Sequence, residues 1–265
     1  MQIKDTESTD WIRRYRPSPD SGVRLVCFPH AGGSATFFHP VAMSLSPVAD
    51  VVALQYPGRQ DRFREPCVTD LGVLADRLAE QITALSDKPT VLFGHSMGAT
   101  LAFETAVRLE AAGANPPRAV VASGRRAPSV HHAEHVHERD DDGIIAELRS
   151  LDGTDSAVFG DEELLRLALP AIRGDYAAVE SYTCPADRRL RCGITVLTGD
   201  SDPRTSLEEA AAWRNHTLGP FRLRVFSGGH FFLTGHRAAV DDLLAGQLHR
   251  ARATGATVPG GCPPV

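Results

Sequence analysis

The sequence predicts an α/β fold, a mostly parallel sheet with helices on both faces and a helical insertion late in the chain. Three observations predict it. From Val23 onward, short apolar runs alternate with helix-like segments, as they do when parallel strands are joined by crossover helices. One of those runs feeds directly into Gly94-His95-Ser96-Met97-Gly98 and then into an alanine-rich stretch, a strand–turn–helix setting for a G-x-S-x-G pattern. After about Gly124 the alternation stops, and it resumes at Ile194. At 265 residues the chain suffices for one α/β domain with a small inserted subdomain, but not for two large independent ones.

Taken in order, Val23 to Phe28 reads as a strand, Ala35 to Leu45 as a helix and Asp50 to Gln55 as a strand. Thr69 to Leu85 reads as a helix because Leu71, Leu74, Leu78, Ile82 and Leu85 recur at spacings of three and four, and Thr69 or Asp70 can cap it. Thr90 to Phe93 leads into the Ser96 turn, Ala99 to Ala112 is the helix behind it, and Gly113 fits its stop. Ala119 to Ser123 is a further strand. The core is therefore expected over residues 1–124 and 187–250, with an inserted helical lid over 125–186. Ile144 to Leu151 and Glu162 to Tyr182 carry the insertion's helical patterns, and Pro170 is expected to break or kink the second. A helical hairpin that only covers the sheet edge is the competing reading of the insertion. Strands at Ile194 to Thr198 and Phe221 to Phe226 and a helix from about Arg237 to Arg250 complete the core. The Gly- and Pro-rich segment 251–265 is expected to be a disordered tail.

Composition narrows the function. Hydrophobic content of 42% and charged content of 23% are those of an ordinary globular protein, and no apolar run is long enough to cross a bilayer. The polar segment Met1 to Asp10 has no signal or transit character, so a cytoplasmic location is expected. A net charge of -5 gives no footprint for nucleic acid. The five cysteines have neither C-x-x-C nor zinc-finger spacing, which argues against a disulfide framework and a structural metal. His131, His132, His135 and His137 form a run without H-E-x-x-H, read as a solvated loop rather than a metal site.

A serine on a sharp strand-to-helix turn projects its hydroxyl above the sheet and over the first N–H groups of the helix. Ser96 is therefore the candidate nucleophile. It needs a base that removes its proton and later delivers one to the leaving group. His230 is the candidate, because it follows the last strand through the flexible Ser227-Gly228-Gly229; His95 and His236 compete for the role. A carboxylate must then fix the imidazole tautomer. Asp200 and Asp202 both lie on the loop after Ile194 to Thr198, near even on pattern, with Pro203 leaning slightly toward Asp202. Oxyanion donors are expected from the backbone amide of Met97 and from the loop Pro29-His30-Ala31-Gly32-Gly33-Ser34, where Ala31 is the chosen donor.

Phe28-Pro29-His30-Ala31-Gly32-Gly33, Tyr56-Pro57-Gly58-Arg59, the Ser96 pentapeptide, Gly199-Asp200-Ser201-Asp202-Pro203 and Gly228-Gly229-His230-Phe231-Phe232 together resemble a type II thioesterase of the α/β-hydrolase superfamily. Such enzymes are discrete editing thioesterases of polyketide and nonribosomal peptide synthases. The resemblance runs from about Trp11 to Arg250. It implies Ser96 as nucleophile, His230 as base, Asp202 as the acid, the amides of Ala31 and Met97 as the oxyanion hole, and an α-helical lid.

The implied reaction is hydrolysis of stalled acyl groups from the phosphopantetheine arm of an acyl or peptidyl carrier protein, through an acyl-serine intermediate and with no cofactor or metal. A monomer is expected. Arg59, Arg62, Arg125 and Arg126 are candidates for docking the acidic carrier, motivated by their placement after strands or at the base of the insertion. A general carboxylesterase or acyl-CoA thioesterase keeps the same triad with another substrate. A non-catalytic binding scaffold is the alternative of a different class.

Overall fold

The computed structural model describes residues 10–85, 87–113, 115–152 and 162–255. Seven strands form one sheet: β1 (Ile12–Arg13), β2 (Arg24–Phe28), β3 (Asp50–Leu54), β4 (Thr90–His95), β5 (Ala119–Ser123), β6 (Gly193–Gly199) and β7 (Phe221–Phe226). Their order is β1-β3-β2-β4-β5-β6-β7, and only β1 runs antiparallel. Strands β2 to β5 are buried at every position, which is why they read as continuous apolar runs rather than as alternating ones.

Successive side chains of a strand point to opposite faces, so each face gathers its own core. Val26 and Phe28 join one cluster with helices α2 (Leu71–Thr83) and α3 (Met97–Ala112). Leu25 and Cys27 join the other with α1 (His39–Leu45) and α8 (Arg237–Gly255). The chain therefore leaves β2 for one face and leaves β4 for the other, although the two strands are neighbours. Their carboxyl ends form a topological switch point, where diverging loops open a crevice. Ser96 and the Pro29–Gly33 loop stand there.

Most expected elements form, with instructive differences. Ala35 to Phe38 is a 3-10 turn before α1. The Asp70 side chain caps α2 by accepting from the Val73 amide at 2.9 Å, and Gly113 ends α3 in the left-handed region at φ 68°. Strand β1 and the short helices α6 (Leu207–Ala211) and α7 (Phe232–Gly235) carry too few residues to show periodicity. Between β5 and β6 lie α4 (Asp141–Asp152) and α5 (Glu162–Glu180), and no strand separates them among the described residues.

Two expectations are corrected. Helix α5 continues through Pro170 instead of breaking there. The cost of about 3 kcal/mol for an interior proline is offset by contacts on both sides of it, Leu165 and Leu169 before and Ile172 and Tyr176 after, all in one apolar cluster with Val136, Ile144 and Ile145. Residues 251–255, assigned to the tail, extend α8: Ala251 is buried because it continues the stripe Val240, Leu244, Leu248. The remainder of the expected tail, 256–265, lies outside the described residues.

Candidate active site

Ser96 sits between β4 and α3 at φ 54° and ψ -122°, a conformation outside the ordinary wells for an L-residue. The surrounding chain enforces it. Its amide donates to Ser123 O at 2.8 Å, extending the β4–β5 ladder, while its carbonyl accepts from Ala99 N at 2.9 Å, opening the helix. The flanking glycines are steric requirements, since a Cβ on Gly94 would overlap the Gly98 carbonyl and one on Gly98 would overlap the Phe28 carbonyl. Although Ser96 occupies the N-cap position, its side chain makes no capping bond, so the hydroxyl remains available.

His230 is buried, and its Nδ1 lies 3.0 Å from Asp202 Oδ1 and 2.9 Å from Oδ2. This geometry separates the two aspartates that the sequence left near even. Asp200 instead accepts from the Gly228 amide at 2.9 Å and from the Ser201 hydroxyl at 2.8 Å, and these bonds hold its carboxyl below the usual range. It braces the loop that leads to His230. The competing histidines are placed elsewhere: His236 Nε2 meets Ser227 O at 2.9 Å, and His95 Nδ1 lies 3.1 Å from Ser123 Oγ.

The ring of His230 lies 5.1 Å, centroid to centroid, from that of His95, the residue before Ser96, and so the imidazole stands beside the elbow. Among the described residues the Ser96 hydroxyl has no hydrogen-bond partner, and His230 commits Nδ1 to Asp202 while Nε2 makes no hydrogen bond. His30 packs against His95 and Phe231. Burial, with His230 and Arg59 nearby, lowers the His30 pKa to about 3, and burial likewise pushes His95 well down. Both rings are therefore neutral near pH 7.

The Pro29–Gly33 loop is held from a distance. Tyr56 Oη donates to Pro29 O at 3.3 Å, Arg59 Nη1 donates to Gly33 O at 3.0 Å, and Gly32 N donates to Asp175 Oδ2 at 2.7 Å. Arg59 and Asp175 are themselves paired through two bonds, at 2.7 and 2.9 Å, and both are buried. Burial would lower the Arg59 guanidinium, but Asp175 outweighs it and holds it above its ordinary value. Sequence reasoning missed Asp175 entirely. The one signal toward this clamp was the Tyr56-Pro57-Gly58-Arg59 motif, which supplies two of its three anchoring side chains.

Three of the four arginines assigned to docking, Arg59, Arg62 and Arg126, need correction, because they are buried and paired internally. Arg59 is 6% exposed, Arg62 6% and Arg126 4%. Arg62 binds Glu65 at 2.6 and 2.7 Å and lies 4.2 Å over the Trp11 ring. Arg126 donates to Glu134 at 2.8 Å, and Arg204 approaches the same carboxylate at 2.9 Å. Burial would raise Glu134, yet this arginine cluster holds it down to about 2. Arg125 is half-buried, and burial beside Arg126 brings it down to about 10. In the histidine run, His132 meets Glu209 at 2.6 Å, His135 meets Glu138 at 3.3 Å and His137 meets Glu180. No group of three His, Cys, Asp or Glu side chains able to hold a metal ion occurs among the described residues.

A model of the thioesterase domain matches residues 23–248, a span that includes every residue of this site. The chain belongs to the thioesterase family. It is 64% identical over 249 residues to a probable cadicidin biosynthesis thioesterase of Streptomyces griseus, covering 94% of this chain and 69% of that protein. It is 47% identical over 234 residues to thioesterase PikA5 of Streptomyces venezuelae, covering 86% of this chain and 82% of that one. Among solved structures, the type II thioesterase BorB of the borrelidin biosynthetic cluster superposes with a TM-score of 0.87 at 52% identity, over 92% of this chain and 100% of BorB. RedJ, the thioesterase of the prodiginine pathway in Streptomyces coelicolor, superposes at 0.82 with 35% identity, over 88% of this chain and 89% of that structure. The fold is that of an α/β-hydrolase and the protein is a thioesterase, related to type II enzymes of polyketide and nonribosomal peptide biosynthesis. Among the described residues, no helix is long and apolar enough to cross a membrane.

Proposed function

We propose that this thioesterase hydrolyses acyl groups from the phosphopantetheine arm of a carrier protein in polyketide or nonribosomal peptide assembly, clearing stalled chains. The observation that carries the reading is the buried His230–Asp202 pair standing beside the strained Ser96 turn at the switch point of the sheet.

In this reading Ser96 Oγ attacks the thioester carbonyl while His230 Nε2 takes its proton, and Asp202 steadies the resulting imidazolium through Nδ1. The carbonyl oxygen becomes an oxyanion. Two amides suit it. Met97 opens α3, where its N–H has no carbonyl one turn back, and the Ala31 N–H has no partner among the described residues. The C–S bond then breaks and the thiolate, whose conjugate thiol has a pKa of about 8.5, leaves with the proton from His230. His230 next deprotonates a water that attacks acyl-Ser96, and the carboxylic acid departs as Ser96 regains its proton. The side chains and amides named suffice for every transfer.

The inserted helices act as a lid over this crevice, since their apolar cluster packs against Ala31 of the oxyanion loop. The working unit is a cytoplasmic monomer. The test is brief exposure of acylated carrier proteins, acyl-CoA and free oxygen esters to the protein, with mass spectrometric readout. Deacylation fastest on carriers, and lost in Ser96→Ala, is expected; preference for the free ester would overturn the carrier reading.

A further inference from the structure

The Ala31 amide can stabilise an oxyanion only if the loop that carries it is held still, because donors must already point at the charge as it develops. Little in the loop itself does this. Gly32 is at φ 72°, and the loop's one internal bond runs from Gly33 N to His30 O at 2.9 Å. Restraint comes from outside, and the most remote source is Asp175, on a helix of the insertion more than 140 residues further along the chain.

We infer that Asp175 is a positioning residue for thioester hydrolysis, fixing the Ala31–Gly32 peptide from helix α5 and thereby aiming the oxyanion hole. This rests on the functional reading above. Asp175 Oδ2 accepts from Gly32 N and from Arg59 Nη1, both at 2.7 Å, and Oδ1 accepts from Arg59 Nη2 at 2.9 Å. Arg59 closes the circuit by donating to Gly33 O at 3.0 Å and to Pro57 O at 3.3 Å. One carboxylate and one guanidinium thus grip the Ala31–Gly32 and the Gly33–Ser34 peptide groups. Packing repeats the message, since a Cβ on Gly32 would overlap Ile172 of the same helix, and Ala31 touches the insertion's apolar cluster. A buried ion pair adds little net stability compared with apolar residues of the same volume. Its presence against a catalytic loop is better explained by the direction it imposes on that loop.

The insertion thereby sets the geometry of the reacting centre as well as covering it.

The test separates the grip on Gly32 from the stability of the ion pair. Arg59→Met/Asp175→Asn and Arg59→Met/Asp175→Leu both remove the two charges together, so neither leaves an unpaired ion buried. Asparagine can still accept from the Gly32 amide; leucine cannot. With an acyl-pantetheine thioester as substrate, the leucine pair is expected to have a kcat roughly 10- to 100-fold below the asparagine pair, with KM changed less than about twofold, since misplacing a catalytic group acts on the transition state. Equal kcat values, a difference confined to KM, or a kcat loss that only follows a lower melting temperature would overturn the inference. Wild-type protein supplies a check should the leucine pair not fold. Hydrogen exchange of the Gly32 amide is expected to be slow for its loop, and exchange as fast as an exposed amide would also overturn it. Absence of any wild-type thioester hydrolysis would instead count against the functional reading, whereas an active wild type with matched double variants counts against Asp175 alone.

Discussion

The two loops at the switch point solve the same problem in opposite ways. The Ser96 turn is rigid because of residues within it: Gly94 and Gly98 allow backbone to touch backbone, and Ser96 alone bridges strand and helix. The Pro29–Gly33 loop is rigid because of residues far from it, with Tyr56 and Arg59 gripping it from behind β3 and Asp175 from the insertion. A nucleophile that must keep one strained conformation through every turnover is suited by local enforcement. In the proposed mechanism, the geometry of the loop that carries the Ala31 amide therefore depends on distant residues, whereas that of the Ser96 turn does not.

The comparison is broken most severely at the carboxylates that serve the base. Asp202→Asn should lower kcat by about 10⁴-fold, because the imidazole loses its acceptor and adopts the wrong tautomer. Asp200→Asn should cost less than about tenfold, because that side chain binds the Gly228 amide and the Ser201 hydroxyl and does not touch the imidazole. Steady-state kinetics of the two variants checks this, and similar losses would mean that the loop as a whole supports His230.

Next in size is the contrast between the glycines. Gly94→Ala sets Cβ against a carbonyl that cannot move, and should destabilise the protein by more than about 4 kcal/mol. Gly32→Ala meets the Ile172 side chain instead, with added strain from its positive φ. A double-mutant cycle by denaturant unfolding should show Gly32→Ala and Ile172→Ala coupled favourably by about 1–3 kcal/mol, while Gly94→Ala and Ile172→Ala add independently. Additivity in both cycles would mean that the insertion does not press on the loop.

The smallest effect is one the loops share, since each carries a neutral histidine. The His30 pKa is about 3 in the folded protein and about 6.5 when unfolded, so below pH 6.5 the unfolded chain binds the extra proton and stability falls as pH falls. The slope is about 1.4 kcal/mol per pH unit for such a group. His95, also pushed down by burial, acts in the same direction. His30→Phe should therefore reduce the stability lost between pH 7 and pH 5 by about 2 kcal/mol, measured by denaturant unfolding at both values. An unchanged loss would place the acid sensitivity elsewhere.

The same contrast governs what was legible in the sequence. Residues 94–98 announce their turn because its causes are contiguous: an apolar strand, two glycines and a helix. The strands and the stripe of α2 were legible for the same reason, being periodic and local. Residue pattern alone left Asp200 and Asp202 near even, since both follow β6; the family resemblance picked Asp202, and the position of His230 separates the two. Arg59 read as a surface cation, since nothing nearby in the chain reveals that Asp175 will bury it. Pro170 read as a helix breaker, since its neighbours' packing across α4 and α5 is tertiary. Helix α8 outran its expected end because Ala251 is too small to stand out as part of an apolar stripe.

In the proposed mechanism Ser96 attacks the acyl carbon with His230 as its base. Protein quenched during turnover of an acyl thioester and digested for mass spectrometry tests it most directly. The acyl mass is expected on the peptide containing Ser96, absent from Ser96→Ala and formed at least about 10³-fold more slowly in His230→Ala. Turnover with the acyl group on another residue, or undiminished hydrolysis by Ser96→Ala, would contradict it.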